Sequence, residues 1–219
     1  LFGRIIDGSG RPLDNGPRIA TSAFWPLEAA VGNPLRRSSV TRPIDVGVRA
    51  INGLLTLGLG QRVGIMAGSG VGKSVLLGMM VRNVTADVVV VALIGERGRE
   101  ISDFVASQLD DVARARTIIV AVAADEAPLL RVRGVMRATA IAEYFRSLGR
   151  SVVLIVDSLT RVAHAQREIA LALGETQGSR GYPASALALL PRLIERAGND
   201  GASGGAITAI YTVLADGDD

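Results

Sequence analysis

The chain has 219 residues, 48% of them apolar and 21% charged, with 24 lysines and arginines against 21 aspartates and glutamates. That size suits one large domain or two small ones around an ample core, and a net charge of +3 with only 4% aromatic residues argues against a nucleic-acid binder. With no cysteine, disulfides and cysteine-based zinc sites are excluded, and no apolar run is long enough to span a bilayer.

Residues Leu1 to Asn52 are rich in Gly, Pro and Arg. The opening L-F-G-R-I-I-D-G-S-G-R-P-L reads as a strand, a turn at Asp7 to Gly10, and a return. Pro12, Pro17, Pro26, Pro34 and Pro43 forbid a long helix before residue 44. This part is expected to be an irregular entry segment, residues 1–52, packed on a core of residues 53–219. Ile44 to Leu57 has apolar residues near helical spacing. No signal-peptide pattern is present, and a cytoplasmic location fits. The chain opens at Leu1 and stops at D-G-D-D, which reads as a piece of a longer protein.

From Gly60 onward strands and helices alternate. Gln61 to Met66 predicts a strand and Ser74 to Asn83 a helix. Ala86 to Gly95 is almost wholly apolar and β-branched, as a strand buried on both faces must be. Glu100 to Leu109 predicts a helix and Arg116 to Ala123 a third strand. Leu129 to Leu148 predicts a long helix with Leu130, Val135, Ala138, Ile141, Ala142 and Phe145 on one face. Ser151 to Val156 is a fourth strand running into Asp157, and Ser158 to Leu173 a helix ending at Gly174. A Gly/Pro loop from Gly174 to Ser185, a helix from Ala186 to Arg196 and a fifth strand from Ala206 to Leu214 complete the pattern. The alternation predicts an α/β fold, a mainly parallel sheet with helices on both faces.

The chemistry centres on Gly64 to Met80, G-I-M-A-G-S-G-V-G-K-S-V-L-L-G-M-M. Ala67 to Ser74 is a P-loop with Ala in place of the usual first Gly. Gly68, Gly70 and Gly72 let the backbone turn its N–H groups toward phosphate oxygens. Lys73 brings a charge to the β/γ-phosphates and Ser74 a hydroxyl to Mg²⁺. The helix that follows points its positive end at the same anion. A glycine turn that merely joins strand to helix is the plainer alternative, and the strand–loop–helix context argues against it.

Asp157 follows five apolar strand residues, where a Walker B aspartate would hold Mg²⁺, directly or through water. A simple helix cap is the alternative, disfavoured by the P-loop in the same chain. Glu96 ends the Ala86–Gly95 strand in G-E-R-G-R-E, at the sheet edge where ligands bind, and could polarise an attacking water. Read from the residues alone, a plain charged loop there is equally open. Arg97 and Arg99 are available to a γ-phosphate or a neighbouring subunit. Glu100 and Asp103 read as exposed helix carboxylates. His164, the only histidine, reads as a packing or surface residue.

Together with A-L-I-G-E-R-G-R-E, D-S-L-T-R-V-A-H-A-Q-R-E-I-A, G-Y-P-A-S, L-I-E-R-A-G-N and Y-T-V-L-A-D-G-D-D, the P-loop stretch closely resembles the flagellar and type III secretion export ATPases. These are relatives of the rotary ATP synthase catalytic subunits, and the resemblance runs from about Gly3 to Asp219. It implies a RecA-like P-loop NTPase core and a Mg-dependent ATPase with ATP and Mg²⁺ as ligands. It places nucleotide contacts at Ala67, Gly68, Ser69, Gly70, Val71, Gly72, Lys73, Ser74 and Val75, and metal contacts at Ser74 and Asp157. It makes Glu96 the catalytic glutamate, with Lys73 and Arg97 beside it, and matches Arg161 to an arginine after the Walker B strand. Tyr182 and Pro183 match a loop facing the central channel of a hexamer, although Ala184 and Leu187 replace a commoner Pro and Phe there.

The same resemblance implies a homo-oligomeric ring, an export apparatus with stalk and stator proteins, export substrates, and a cytoplasmic place at the inner face of a bacterial membrane. Family members also carry an N-terminal β-barrel and a C-terminal helical domain, so the chain reads as an ATPase core whose trans-acting arginine and adenine-packing aromatic lie elsewhere. The A-G-S-G-V-G-K-S loop and V-L-L-G-M-M resemble the flagellar branch more than the injectisome branch, although the two share nearly all these motifs. A rotary synthase subunit, a RecA-like nucleic-acid motor and a nucleotide-binding module without hydrolysis are the competing readings. E-R-G-R-E and R-E-I-A favour export, the low aromatic count disfavours the motor, and Glu96 disfavours the inert module.

Overall fold

The computed structural model describes residues 1–29, 33–68 and 70–215. Ser69, expected at the phosphates, and the final D-G-D-D lie outside the described residues.

The strands are β1 (Ile5–Ile6), β2 (Arg62–Ala67), β3 (Val88–Glu96), β4 (Thr117–Ala123), β5 (Ser151–Asp157), β6 (Gly198–Asn199) and β7 (Ala206–Leu214). Among the described residues they form one sheet in the order β1-β4-β3-β5-β7-β2, all parallel, with the short β6 antiparallel against the start of β7. The helices are α1 (Arg49–Leu54), α2 (Lys73–Asn83), α3 (Gly98–Gln108), α4 (Asp111–Ala115), α5 (Pro128–Ser147), α6 (Leu159–Ala172) and α7 (Ala184–Glu195).

β3 shows why its sequence is continuously apolar. Successive side chains of a strand point to opposite faces. Val88, Val90, Ala92 and Ile94 pack with Val135, Ala138 and Ala142 of α5, Leu159 and Val162 of α6, and Leu193 of α7. Val89, Val91 and Leu93 pack on the other side with Leu77, Met80 and Val81 of α2 and Phe104 of α3. Both faces are dry, so a polar residue within β3 would lose water without gaining a partner. The expected α/β fold with helices on both faces is what the chain adopts.

Three local readings change. Ile44 to Leu57 is helical only over Arg49–Leu54. Ile44, Val46 and Val48 instead alternate with exposed or half-buried neighbours and fill the α2 side of the core. The cause is a turn: Asp45 accepts the Gly47 N–H at 2.7 Å, and Asn52 accepts the Val46 N–H at 3.1 Å. These side-chain bonds offer the backbone an alternative to helix. The boundary expected after Asn52 also falls inside α1. Finally, α4 was not foreseen, although Asp110 is its cap and accepts the Ala113 N–H at 2.7 Å.

The entry segment is clasped to the core at specific points. β1 pairs with β4 of the core, and within the segment Arg4 holds Asp14 through two hydrogen bonds, of 2.7 and 2.9 Å. The Trp25 indole donates to Glu143 at 3.1 Å. Glu143 is buried and paired bidentately with buried Arg196, which also donates to the Leu27 carbonyl at 2.7 Å. Each buried charge is thus matched by charge and hydrogen bonds, the condition under which it is tolerated.

Candidate active site

Parallel strands put their carboxyl ends on one edge, so the P-loop after β2, Glu96 at the end of β3 and Asp157 at the end of β5 share that edge. Gly70 and Gly72 have φ of +78° and +93°. A Cβ at either would meet nothing within 4 Å, so it is the left-handed backbone rather than crowding that calls for glycine. Gly72 caps α2 without a side-chain hydrogen bond, and no acidic residue lies in the helix's first turn. The first N–H groups and the positive end of α2 are therefore available to an anion. Val71, Ser74 and Val75 are exposed around this turn, and Ala67 holds the end of β7 by accepting the Ala215 N–H at 3.2 Å.

Lys73 Nζ donates to Asp157 Oδ1 at 2.6 Å, and both side chains are largely buried. Oδ1 also accepts the hydroxyl of Thr212, on β7, at 2.7 Å. The ammonium has three protons, so one bond to Asp157 leaves two for phosphate.

Glu96 sits after a register shift between Ile94 and Glu96, with Gly95 at φ +73°. A Cβ on Gly95 would lie 2.9 Å from Cδ and 3.0 Å from Cβ of Arg161, so this glycine lets α6 approach the carboxylate. Arg161 Nε lies 3.8 Å from Glu96 Oε1, an ion pair too long for a hydrogen bond. Both atoms are buried without a hydrogen-bond partner among the described residues. Burial pushes the Glu96 carboxyl up to about 7, helped by a hydrogen bond with Glu100 and by the charge of Asp157, and opposed by Arg161 and Lys73. Glu100 is held below the usual carboxylate range, first by that same bond. Glu100 is exposed on α3, as its sequence suggests, and its nearness to Glu96 is what the residue pattern did not show. Asp103 does stay exposed, 3.6 Å from Arg99.

Arg97 is not brought to Lys73 or Asp157. Its side chain is 80% exposed, and its guanidinium lies 3.9 Å from Glu100. His164 stacks on Tyr182 with ring centroids 6.0 Å apart, and Arg167 lies over the same ring at 5.7 Å. The histidine is a packing residue for the loop before α7, in keeping with its reading from the sequence. Thr212 went unnoticed there. Its signal is a hydroxyl near the carboxyl end of a mostly apolar strand, A-I-T-A-I-Y-T-V-L, which also holds Thr208 and Tyr211.

Ser74, in the first turn of α2, and Asp157, bonded to Lys73 at its start, supply oxygen donors, and Glu96 Oε1 is a further acceptor without a hydrogen bond among the described residues. This donor set fits a hard divalent cation of the Mg²⁺ type, which binds through one or two protein oxygens together with waters and phosphates.

An α/β sheet with a P-loop at its carboxyl edge and acidic residues at the ends of two further strands, β3 and β5, defines a nucleotide-binding domain. The chain belongs to the ATP synthase alpha/beta family, whose nucleotide-binding domain matches residues 47–219. It is 54% identical over 219 residues to the flagellum-specific ATP synthase of Pseudomonas aeruginosa and 57% identical to that of Salmonella typhimurium. It covers 49% and 48% of their lengths, about half of each. Among solved structures it matches the assembled ATPase EscN of the enteropathogenic E. coli type III secretion system, with a TM-score of 0.93 and 47% identity. That match covers all of this chain and 52% of EscN. EscN has also been solved in complex with its central stalk EscO.

Proposed function

We propose that this chain is the ATPase core of an export motor that hydrolyses ATP to ADP and phosphate, in a ring of identical subunits at the cytoplasmic face of a bacterial membrane. The observation carrying this reading is the convergence of Lys73, Asp157 and Glu96 at the N-terminus of α2. The export role rests on the likeness to flagellar and type III secretion relatives, and stalk, stator and export substrates are the expected partners.

In this reading the N–H groups of Ala67 to Val75 and the Lys73 ammonium hold the β/γ-phosphates. Ser74 and Asp157 would hold Mg²⁺, which when bound neutralises phosphate charge. Glu96 Oε1, buried and without a hydrogen-bond partner among the described residues, accepts a hydrogen bond from the attacking water and takes its proton. Arg161 faces the same oxygen and steadies the carboxylate in its charged form. Arg97 and Arg99 point outward, where a neighbouring subunit could use them, and Tyr182 and Pro183 would face the ring's channel. The division into an entry segment and a core is part of the same proposal.

The test is Glu96→Gln in the full-length protein, with phosphate release and binding of a fluorescent ATP analogue measured on one preparation. Binding should persist while turnover falls by about 10²–10⁴. Turnover within a factor of about three of wild type would move the base elsewhere; loss of binding along with turnover would make Glu96 structural.

A further inference from the structure

We propose that Thr212 is a positioning residue for the ATPase reaction: its hydroxyl sets the orientation of the Asp157 carboxylate and, through it, of Lys73. The inference rests on the ATPase reading above and adds a residue to its machinery.

The geometry is unusual for a threonine in a sheet. β7 lies between β5, which ends at Asp157, and β2, which leads into the P-loop. Thr212 is fully buried, and a buried hydroxyl without a partner is costly. Its Oγ1 lies 2.7 Å from Asp157 Oδ1 and 3.4 Å from the Val156 carbonyl. A hydroxyl has one proton, and the short contact to a charged acceptor takes it. The bond is charge-assisted and made from a β-branched side chain with a stiff χ1, so the oxygen is held in place by the strand itself.

The strand is in turn pinned on both sides. Thr160, on α6, accepts the Leu214 N–H at 2.9 Å, and Ala67 accepts the Ala215 N–H at 3.2 Å. The end of β7 is therefore tied to the helix that follows Asp157 and to the strand that carries the P-loop. Thr212 and Lys73 both donate to Oδ1. Among the described residues Asp157 accepts no other side-chain hydrogen bond, so these two donors define how its carboxylate is turned. If the hydroxyl is removed, only Lys73 orients Asp157, and Lys73 must also serve phosphate.

The experiment compares Thr212→Val, Thr212→Ala and Thr212→Ser in the full-length protein. Thr208→Val serves as a control for losing a buried hydroxyl on the same strand, because among the described residues Thr208 Oγ1 accepts only the Gly60 N–H, at 2.8 Å. Four quantities are read: kcat, KM for ATP, the Mg²⁺ concentration that half-saturates binding of a fluorescent ATP analogue, and melting temperature. Thr212→Val should lower kcat by about 10- to 100-fold and raise the half-saturating Mg²⁺, as loss of an outer-shell partner does. Thr212→Ser should stay within about threefold of wild type.

Wild-type kcat in Thr212→Val overturns the proposal. So does a Thr212→Ser variant as impaired as Thr212→Ala, which would make the methyl rather than the hydroxyl the working part. Equal losses in Thr212→Val and Thr208→Val would reduce Thr212 to a structural role. If Thr212→Val does not fold, the Ser and Ala pair decides by itself. Lys73→Ala in the same series separates this proposal from the broader one. If that variant loses binding while Thr212→Val is unaffected, only the role of Thr212 fails; if it too behaves as wild type, the ATPase reading fails with it.

Discussion

Lys73 and Asp157 stand 84 residues apart in the chain and are joined by a 2.6 Å bond between Nζ and Oδ1. One opens the helix after β2 and the other ends β5, with β7 between the two strands. The pair is largely shielded from water, so it behaves as an interior ion pair rather than a surface one.

Removing Lys73 should therefore do two things. Lys73→Ala deletes the charge meant for phosphate, and it leaves Asp157 buried with only the Thr212 hydroxyl. Breaking one side of a buried pair costs on the order of 3–5 kcal/mol. Denaturant unfolding of Lys73→Ala should show a loss of that order, and adding Asp157→Asn should return part of it, while neither variant regains ATP binding. Additive losses in the two-residue cycle would mean the pair is not coupled in solution.

The pH profile follows from Glu96. Its carboxyl titrates at about 7, raised first by burial, and only the charged form can take a proton from water. Turnover should rise with pH through about 7 and level off above it. Stability runs the other way. The folded pKa lies above the ordinary 4.5, so the stabilisation from protonated Glu96 is complete below that value and is lost as pH rises through 7. Glu96→Gln should accordingly be more stable than wild type at pH 8, with the gap closing on acidification to pH 4.5. Thermal melts across that range check it, and a constant gap would assign the base a normal pKa.

Gly95 ties backbone geometry to the same carboxylate. Gly95→Ala places a Cβ in left-handed backbone, at a cost of about 1–2 kcal/mol, and presses it on Arg161. The clash includes the Arg161 Cβ, which cannot swing away as the guanidinium end can. Turnover should fall as Arg161 is moved from Glu96, and the melting temperature should drop. Adding Arg161→Ala relieves the contact with Cδ and should recover part of the stability but none of the turnover. Recovery of turnover would show that Arg161 has no part in holding Glu96.

The P-loop was legible from residues alone because its logic is local: a strand, glycines with positive φ and the start of a helix occupy one contiguous stretch, Arg62 to Asn83. β3 was legible for a similar reason, since burial on both faces demands an unbroken apolar run. Glu96 and Asp157 stood out as the charged residues ending such runs. Ile44 to Val48 misled because apolar residues at short spacing suit a helix as well as an extended segment, and the Asp45 and Asn52 side-chain bonds tipped the balance. The partners of the acidic residues were out of reach. Apolar β-branched strands look alike in sequence, so nothing in their pattern says that β7 inserts between β5 and β2. Only that strand order sets Thr212 against Asp157, and only the packing of α6 over Gly95 sets Arg161 against Glu96. Contacts between strands distant in the chain depend on how whole faces pack, a property no single stretch of residues carries.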